Sequence, residues 1–518
     1  MNFTISMRPL AFSFVLVLTI APRATAEAWT DEVRQLGVNL AGAEFGKLPG
    51  VFQKDYTYPC AEQFDYCQRK RMRIIRVPFK WERMQTTLNG PLDAQELARL
   101  DTVVQLAHER ELKLVLDMHN YARYRGEVIG TDQVPNDAFG DVWRRLAEHY
   151  RDRPAVLAYG IMNEPHGTGG RWPAAAQACV DAIRRVDQEH LIFVGGEGWS
   201  GAHCWAKVNA GLPINDPAER TVYEAHQYFD HNNSGSYRRS YDEEKAYPNV
   251  GVERLTPFIG WLKQHNQRGF IGEFGVPDDD ARWLVVLDNT LAEMRKHNLG
   301  GTYWAAGPWW NNYPLSLEPR DGKDRPQMAV FDYHLAVPQP AERPWEEAAQ
   351  RAADVAAEAR ALDERLGRRV YDVGRRGESY HYANPESTFA SLPDRSDGRP
   401  VRRIEFQHDG DPAYIGLGLY FGALVGQKHA AWQLEARAES TCQLEIKAYD
   451  KTGRRFTGKV QVTPEWQILA IPFAVLTSNG ESFTGSEPIE KIEFQPQVSR
   501  SGNKLYLGAL RMTPKPSP

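Results

Sequence analysis

A chain of 518 residues, with 62 Lys and Arg against 67 Asp and Glu and a formal net charge of −5, is long enough for two or three domains and a large buried core. Its 42% hydrophobic and 25% charged content excludes a disordered or collagen-like chain, and the slightly acidic balance argues against a nucleic-acid partner, which usually demands a basic face. Fourteen Trp, 22 Tyr and 21 Phe supply many flat apolar rings, most of which any protein uses in its core.

The chain opens with the pattern of an export signal. Arg8 precedes the apolar run Leu10–Ile20, and Ala24-Thr25-Ala26 is an A-x-A cleavage pattern, so residues 1–26 are expected to be removed from a secreted or periplasmic protein. That run is too short for a membrane span, which takes about 20 residues, and no later segment reaches this length without charges. No membrane partner is therefore expected after signal removal.

Residues 27–340 alternate between short apolar runs and amphipathic stretches. The runs Leu36–Leu40, Ile74–Phe79, Leu112–Met118, Val156–Met162, Leu191–Gly195, Val222–His226, Phe270–Phe274 and Gly300–Trp304 read as strands buried on both faces. Leu97–Arg110, Phe139–Tyr150 and Pro173–Gln188 read as crossover helices, the last with Pro173 in its first turn. Eight such units give the α/β class, as a (β/α)8 TIM barrel. An open doubly wound sheet would need a Gly-rich phosphate turn after an early strand, and none is present.

Past Pro338-Gln339-Pro340, residues 341–368 are Ala-rich and laced with charge, which predicts a connecting helix. Residues 369–518 turn to alternating runs such as Trp432–Ala438, Gln443–Tyr449, Lys459–Val462, Gln467–Ile471, Ile489–Phe494 and Lys504–Met512, the pattern of an all-β sandwich. Of five cysteines, Cys60 with Cys67 and Cys179 with Cys204 are candidate disulfides, leaving Cys442 single. No Cys/His cluster with metal spacing appears, and neither a metal nor another cofactor is implied.

Polar chemistry gathers where the apolar runs end. Arg76 lies in the second run, Asp117 and His119 close the third, and Asn163-Glu164 follows the fourth. His226 and Tyr228 follow the sixth, Glu273 the seventh and Trp304 the eighth. In a barrel those ends share one face, and polar groups there are costly unless they line a solvated cleft. Glu164 and Glu273 supply the two carboxyls that glycosidic cleavage requires, one protonated to release the leaving oxygen and one ionised to attack or activate water. Arg76 would hold one of them charged, His226 and Tyr228 would orient the pair, and Trp304 would offer its face to the apolar side of a sugar ring. A metal-dependent hydrolase built on Asp117 and His119 is the rival enzyme reading, and a catalytically dead glycan-binding protein is the rival outside catalysis.

The motifs Gly37-Val-Asn-Leu-Ala-Gly42, Leu116-Asp-Met-His-Asn-Tyr-Ala-Arg123, Gly160-Ile-Met-Asn-Glu-Pro-His166, His226-Gln-Tyr-Phe-Asp230 with Asn233-Ser-Gly235, and Gly272-Glu-Phe-Gly275 occur in barrel order. Over residues 33–315 the chain resembles glycoside hydrolase family five, the cellulase family of retaining β-glycanases, and most of all its endo-β-1,4-glucanase branch. The resemblance implies Glu164 as acid/base and Glu273 as nucleophile. Arg76 and Tyr228 would touch the nucleophile, His226 would support the acid/base, His119 and Asn163 would bind the sugar, and Trp304 would stack beneath it. Trp199, Tyr121 and Trp309 are expected to extend the stacking platform. Trp81, Tyr124 and Trp310 are further candidates, and Glu197 is a carboxylate expected to contact a substrate hydroxyl or support the site. The expected partner is a β-glucan polysaccharide acted on by a monomer, with mannan, xyloglucan, mixed-linkage and β-1,3-glucan as alternatives. The C-terminal segments resemble galactose-binding-like jelly rolls, many of which bind carbohydrate, and make that domain a candidate carbohydrate-binding module.

Overall fold

The computed structural model describes residues 33–366 continuously and residues 369–514 apart from 372–378, 383–386, 397–398, 409–415, 426–428, 485–487 and 497–501. The export-signal pattern at 1–26 lies outside the described residues. Among those described, no helix is long and apolar enough to cross a membrane.

Eight parallel strands close a barrel: β1 (Leu36–Leu40), β2 (Ile74–Phe79), β3 (Lys113–Met118), β4 (Val156–Gly160), β5 (Leu191–Gly195), β6 (Thr221–His226), β7 (Gly269–Phe274) and β8 (Gly300–Ala306). Each strand pairs with the next, and β8 returns beside β1. The runs are continuously apolar because helices cover their outer faces while the barrel fills its own interior. Side chains of Ile74, Val115 and Val222 join Phe193 and Phe270 in one buried apolar cluster. Arg76, Asp117 and Glu224 stand two residues further along the same strands, so alternation points them inward as well. The interior is thus an apolar plug capped by a layer of charge at the C-terminal end.

Capping decides where the helices begin. The helix expected at Leu97–Arg110 runs over α1 (Ala94–His108), because the Asp93 carboxylate accepts from Gln95 N and Glu96 N and starts it earlier. The stretch Pro173–Gln188 forms α2 (Trp172–Arg184), and α2 stops short because Arg184 Nη1 turns to the Asp187 and His190 carbonyls. Strand β4 ends at Gly160 rather than Met162, since Asn163 N bonds across to Met118 O and pulls the chain out of the ladder.

The connecting helix, α3 (Pro344–Leu366), is docked through Trp345, whose buried ring meets the edge of Tyr333 at 5.3 Å. Beyond it stand two antiparallel sheets. One has the order 387–396, 399–408, 503–514, 429–438, 467–472, with 369–371 added on 503–514. The other runs 379–382, 416–425, 488–496, 442–450, 455–462, 477–478, 481–482. Between them Phe406, Leu419, Trp432, Ile446, Phe456 and Phe494 form one core, the expected sandwich.

The expected disulfides do not form. All five cysteines are free thiols. Cys60 caps the helix Ala61–Arg69 and Cys67 sits in its last turns, so helical rise alone separates them by roughly 10 Å, beyond the ~7 Å Cα limit of a disulfide. Cys179 is buried within α2, while Cys204 Sγ bonds to the Gly201 carbonyl. Thiol titration of the unfolded, unreduced protein should therefore count all five, and reductant should leave the melting temperature unchanged. A count of three or one contradicts the structure.

Candidate active site

Arg76 is fully buried at the centre of the charged layer. Its Nη2 lies 3.0 Å from Asp117 Oδ1 and 2.8 Å from Glu224 Oε1, and its Nη1 lies 3.1 Å from Glu273 Oε1. It also donates to Asn39 Oδ1 at 3.0 Å and Asn163 Oδ1 at 2.8 Å. Burial alone would lower its pKa, but the three carboxylates outweigh that and drive it up, so it stays a cation. Gly272 makes room for this layer: a Cβ there would stand 2.4 Å from Glu224 Oε1. Asn39 closes the barrel beneath it, donating from Nδ2 to the carbonyls of Gly272, Thr302 and Tyr303.

Glu164 and Glu273 meet above Arg76. Glu164 has φ +44, a left-handed conformation that a non-glycine residue adopts only when its surroundings impose it. The surrounding bonds are Tyr121 N to Asn163 O, Trp199 N to Pro165 O, and Arg123 Nη1 to His166 O. Glu273 receives Arg76 on Oε1 and the Tyr228 hydroxyl on Oε2, the latter at 2.9 Å. Tyr228 is pressed into place by Gly235, whose positive φ and missing side chain fit against the ring; a Cβ would come within 2.8 Å. The Asp230 carboxylate fixes that loop by accepting from Gly235 N and Ser234 Oγ.

His226 links the pair. Its Nδ1 lies 2.8 Å from Glu164 Oε1 and 3.5 Å from Glu273 Oε2, and its Nε2 lies 3.1 Å from Glu224 Oε1. One ligating atom from each of Glu164, His226 and Glu273 lies within 4.8 Å of the others. Burial would lower the His226 pKa, yet Glu273, Glu164 and Glu224 raise it to about 10. His226, held as a cation by these carboxylates, donates from Nδ1 to Glu164 and from Nε2 to Glu224. Burial raises the Glu273 carboxyl above its ordinary range, the Glu164 charge adds to this, and His226, Arg76 and Tyr228 oppose it. Two carboxyls so close, in a dry layer, favour holding a proton between them; one can donate while the other attacks.

The metal-hydrolase alternative does not fit these residues. Asp117 already faces the Arg76 cation, and its Oδ2 accepts from His119 Nδ1 at 2.8 Å. Burial first, then Lys80, Arg76 and His226, holds His119 well below its ordinary pKa. The neutral ring accepts from Asn163 Nδ2 at Nε2, 3.2 Å away, so both nitrogens are committed.

An aromatic row borders the pair. Trp304, partly exposed, lies nearly parallel to His119 at 5.6 Å and 21°. Tyr121 stands edge-on to both His119 and His166, and Trp199 stacks on His166 at 4.4 Å and 11° with 56% of its surface exposed. Trp309 is half-buried in the loop after β8. Trp81, Tyr124 and Trp310 are corrected to packing roles, and Glu197 takes the supporting one of its two expected roles. Trp81 and Tyr124 are core, packed on each other at 4.8 Å and bonded to Gln85. Trp310 is a packing residue, stacked on Tyr313 and edge-on to Phe45. Glu197 ties down a loop: its two oxygens accept from Thr168 N and Thr168 Oγ1. Sequence reasoning gave no role to Glu224 or Asn39. The signal for Glu224 was its position two residues before His226 on one strand, where alternation aims both inward.

The family described as cellulase (glycosyl hydrolase family 5) matches residues 32–310, which leaves the sandwich outside the match. Endo-beta-1,4-glucanase B of Aspergillus niger is 35% identical over 294 residues, covering 55% of this chain and 85% of that protein. Endoglucanase Cel5A of Pseudomonas stutzeri, solved in complex with cellobiose, is 47% identical with a TM-score of 0.57, over 60% of this chain and 96% of that one. Endo-beta-1,4-glucanase Xac0029 of Xanthomonas axonopodis pv. citri is 37% identical with a TM-score of 0.56, over 59% and 99% of the two chains.

The His226 cation has a measurable pH signature. Its folded pKa of about 10 exceeds the ordinary 6.5, so its stabilising contribution is whole below pH 6.5 and is lost as pH rises through about 10. Melting temperature should fall across that window, and Glu224→Gln, which removes one of the carboxylates around His226, should end the fall at lower pH and make it smaller. Identical pH profiles for the two proteins would contradict the assignment.

Proposed function

The chain belongs to the cellulase family, glycosyl hydrolase family 5, and on that premise we propose that it is a retaining endo-β-1,4-glucanase with Glu164 as acid/base and Glu273 as nucleophile. The observation that carries this reading is the close approach of the two carboxyls, with oxygens within 4.8 Å, beside a row of aromatic rings that includes partly exposed Trp304. Retaining glycosidases hold their carboxyls about 5–5.5 Å apart, whereas inverting enzymes leave about 6.5–9.5 Å for a water.

Each role follows from a contact. Arg76 and Tyr228 each bond one oxygen of Glu273, fixing it for attack on the anomeric carbon. Glu164, turned into the cleft by its left-handed backbone, protonates the departing oxygen as the glycosyl–Glu273 ester forms. Esterification removes the charge on Glu273, so the newly ionised Glu164 is repelled less and takes a proton from the attacking water. That water breaks the ester and restores both carboxyls, with two inversions giving net retention. His226 keeps its positive charge throughout and stabilises whichever carboxyl is ionised. Asn163 Nδ2, oriented by His119 Nε2, keeps its second hydrogen for the sugar at the cleavage point, Trp304 stacks beneath it, and Tyr121, Trp199 and Trp309 extend the contact along the chain.

The name of the Aspergillus protein and the cellobiose in the Pseudomonas structure support β-1,4-glucan over mannan or β-1,3-glucan. The pattern at 1–26 supports export, and the enzyme is proposed to act outside the cytoplasm as a monomer. On carboxymethylcellulose, Glu164→Gln should lower kcat by roughly 10²–10⁴-fold, the usual worth of general acid–base catalysis. Glu273→Gln should lower it further while leaving substrate binding largely intact. Proton NMR of the earliest products should show the β-anomer first. An α-anomer at the start, or near-normal activity in Glu273→Gln, would overturn the reading.

A further inference from the structure

Lys80 stands at the catalytic end of the barrel, between β2 and the short helix Trp81–Met84. It is partly exposed, and burial of the remainder draws its pKa below the ordinary lysine value. Its Nζ donates to the His119 carbonyl at 2.6 Å and lies 5.3 Å from the centre of the Tyr121 ring. An ammonium carries three N–H donors. Among the described residues Lys80 has this one acceptor and no ion pair.

The carboxylates that act on Lys80 from a distance are engaged elsewhere. Glu82 accepts from Asn120 Nδ2 and Arg125 N, Glu44 accepts from Gly42 N, and Asp117 faces Arg76. Nor does the loop after β3 need Lys80 as a brace. Asn120 already accepts from Trp81 N, Tyr121 N bonds to Asn163 O, and Arg123 Nη1 bonds to Tyr121 O. A partly desolvated amino group with unspent donors, set against the rings of the aromatic row, is an incomplete arrangement that a ligand oxygen would complete.

Barrel order points to the part of the ligand concerned. Strand β3 separates β2 from β4, so Lys80 lies on the other side of β3 from Glu164. The leaving group departs beside the acid, and the sugars within reach of Lys80 are those that stay on Glu273. We infer that Lys80 is a further substrate-binding residue, whose amino group donates to a hydroxyl oxygen of the glucan segment retained on Glu273. The identity of the ligand rests on the proposed function; the availability of the donors rests on the contacts alone.

A double-mutant cycle with substrate atoms as one arm tests it. Wild type and Lys80→Met are compared on 2,4-dinitrophenyl β-cellobioside and on analogues that each lack one hydroxyl of the cellobiosyl group. Lys80→Met should lower kcat/KM on the parent compound about tenfold, the loss expected for one hydrogen bond to a charged donor. For one analogue the wild type should show the same loss, and on that analogue the variant should lose nothing further. A purely structural role would depress every analogue alike. Unchanged kcat/KM on the parent, or a variant that discriminates every analogue as sharply as the wild type does, would overturn the inference. Should Lys80→Met fail to fold, Lys80→Gln decides the matter. Calorimetry with cellotetraose, on chains carrying Glu273→Gln, separates this contact from the enzyme reading. Affinity lowered about tenfold by Lys80→Met, in a protein whose wild type cleaves nothing, would sustain the contact and sink the activity. Cleavage by the wild type with an affinity indifferent to Lys80 would do the reverse.

Discussion

One buried guanidinium organises the catalytic face. Arg76 contacts Asp117, Glu224 and Glu273 from β3, β6 and β7 and bonds Asn39 and Asn163 as well. Removing one member of such a buried network costs about 3–5 kcal/mol, because the remaining charges are left without compensation in a dry interior. The same network sets the chemistry. Arg76 and His226 face four carboxyl groups, Asp117, Glu224, Glu164 and Glu273, so the layer is short of positive charge and retains protons. Burial pushes Asp117 and Glu273 up, whereas Glu224 lies below its ordinary range because Arg76 and His226 overcome its burial. A proton kept beside an ionised neighbour is what a double-displacement glycosidase needs.

The barrel was legible because its strands are apolar on both faces and each catalytic side chain interrupts or ends such a run. Glu164, Glu273, His226 and Arg76 were found that way. Glu224 escaped notice because it sits within a strand whose end already carried His226. Its partnership with Arg76 depends on two strands distant in sequence and on the empty space at Gly272. Aromatic residues were the least legible. Trp81, Tyr124, Trp199 and Tyr121 all stand beside catalytic motifs, and only packing separates the buried first pair from the second, which faces the cleft. Cysteine spacing misled for a simple reason: seven residues make a small loop in a coil but roughly 10 Å of rise in a helix.

The C-terminal half followed a different course. The alternating runs after Trp432 gave the sandwich, but the strands at 379–382, 387–396, 399–408 and 416–425 were not anticipated. Strand 399–408 interleaves Arg402, Arg403 and Glu405 with Val401, Ile404 and Phe406, so its apolar signal is broken by charge. Helix α3, Ala-rich and laced with charge, is anchored by buried Trp345, Ala349 and Ala352 and, just before it, by Arg343 on Asp288.

Everything chemical here depends on Glu273 bonding covalently to the sugar. Incubating the enzyme with a 2-deoxy-2-fluoro-cellobioside bearing a good leaving group, followed by peptide mass spectrometry, tests this most directly. The account predicts a stable adduct of one fluoro-cellobiosyl group on the peptide containing Glu273, with activity lost in parallel. Full inactivation with the label on Glu164 or any other residue, or turnover of the reagent without a trapped ester, would contradict it.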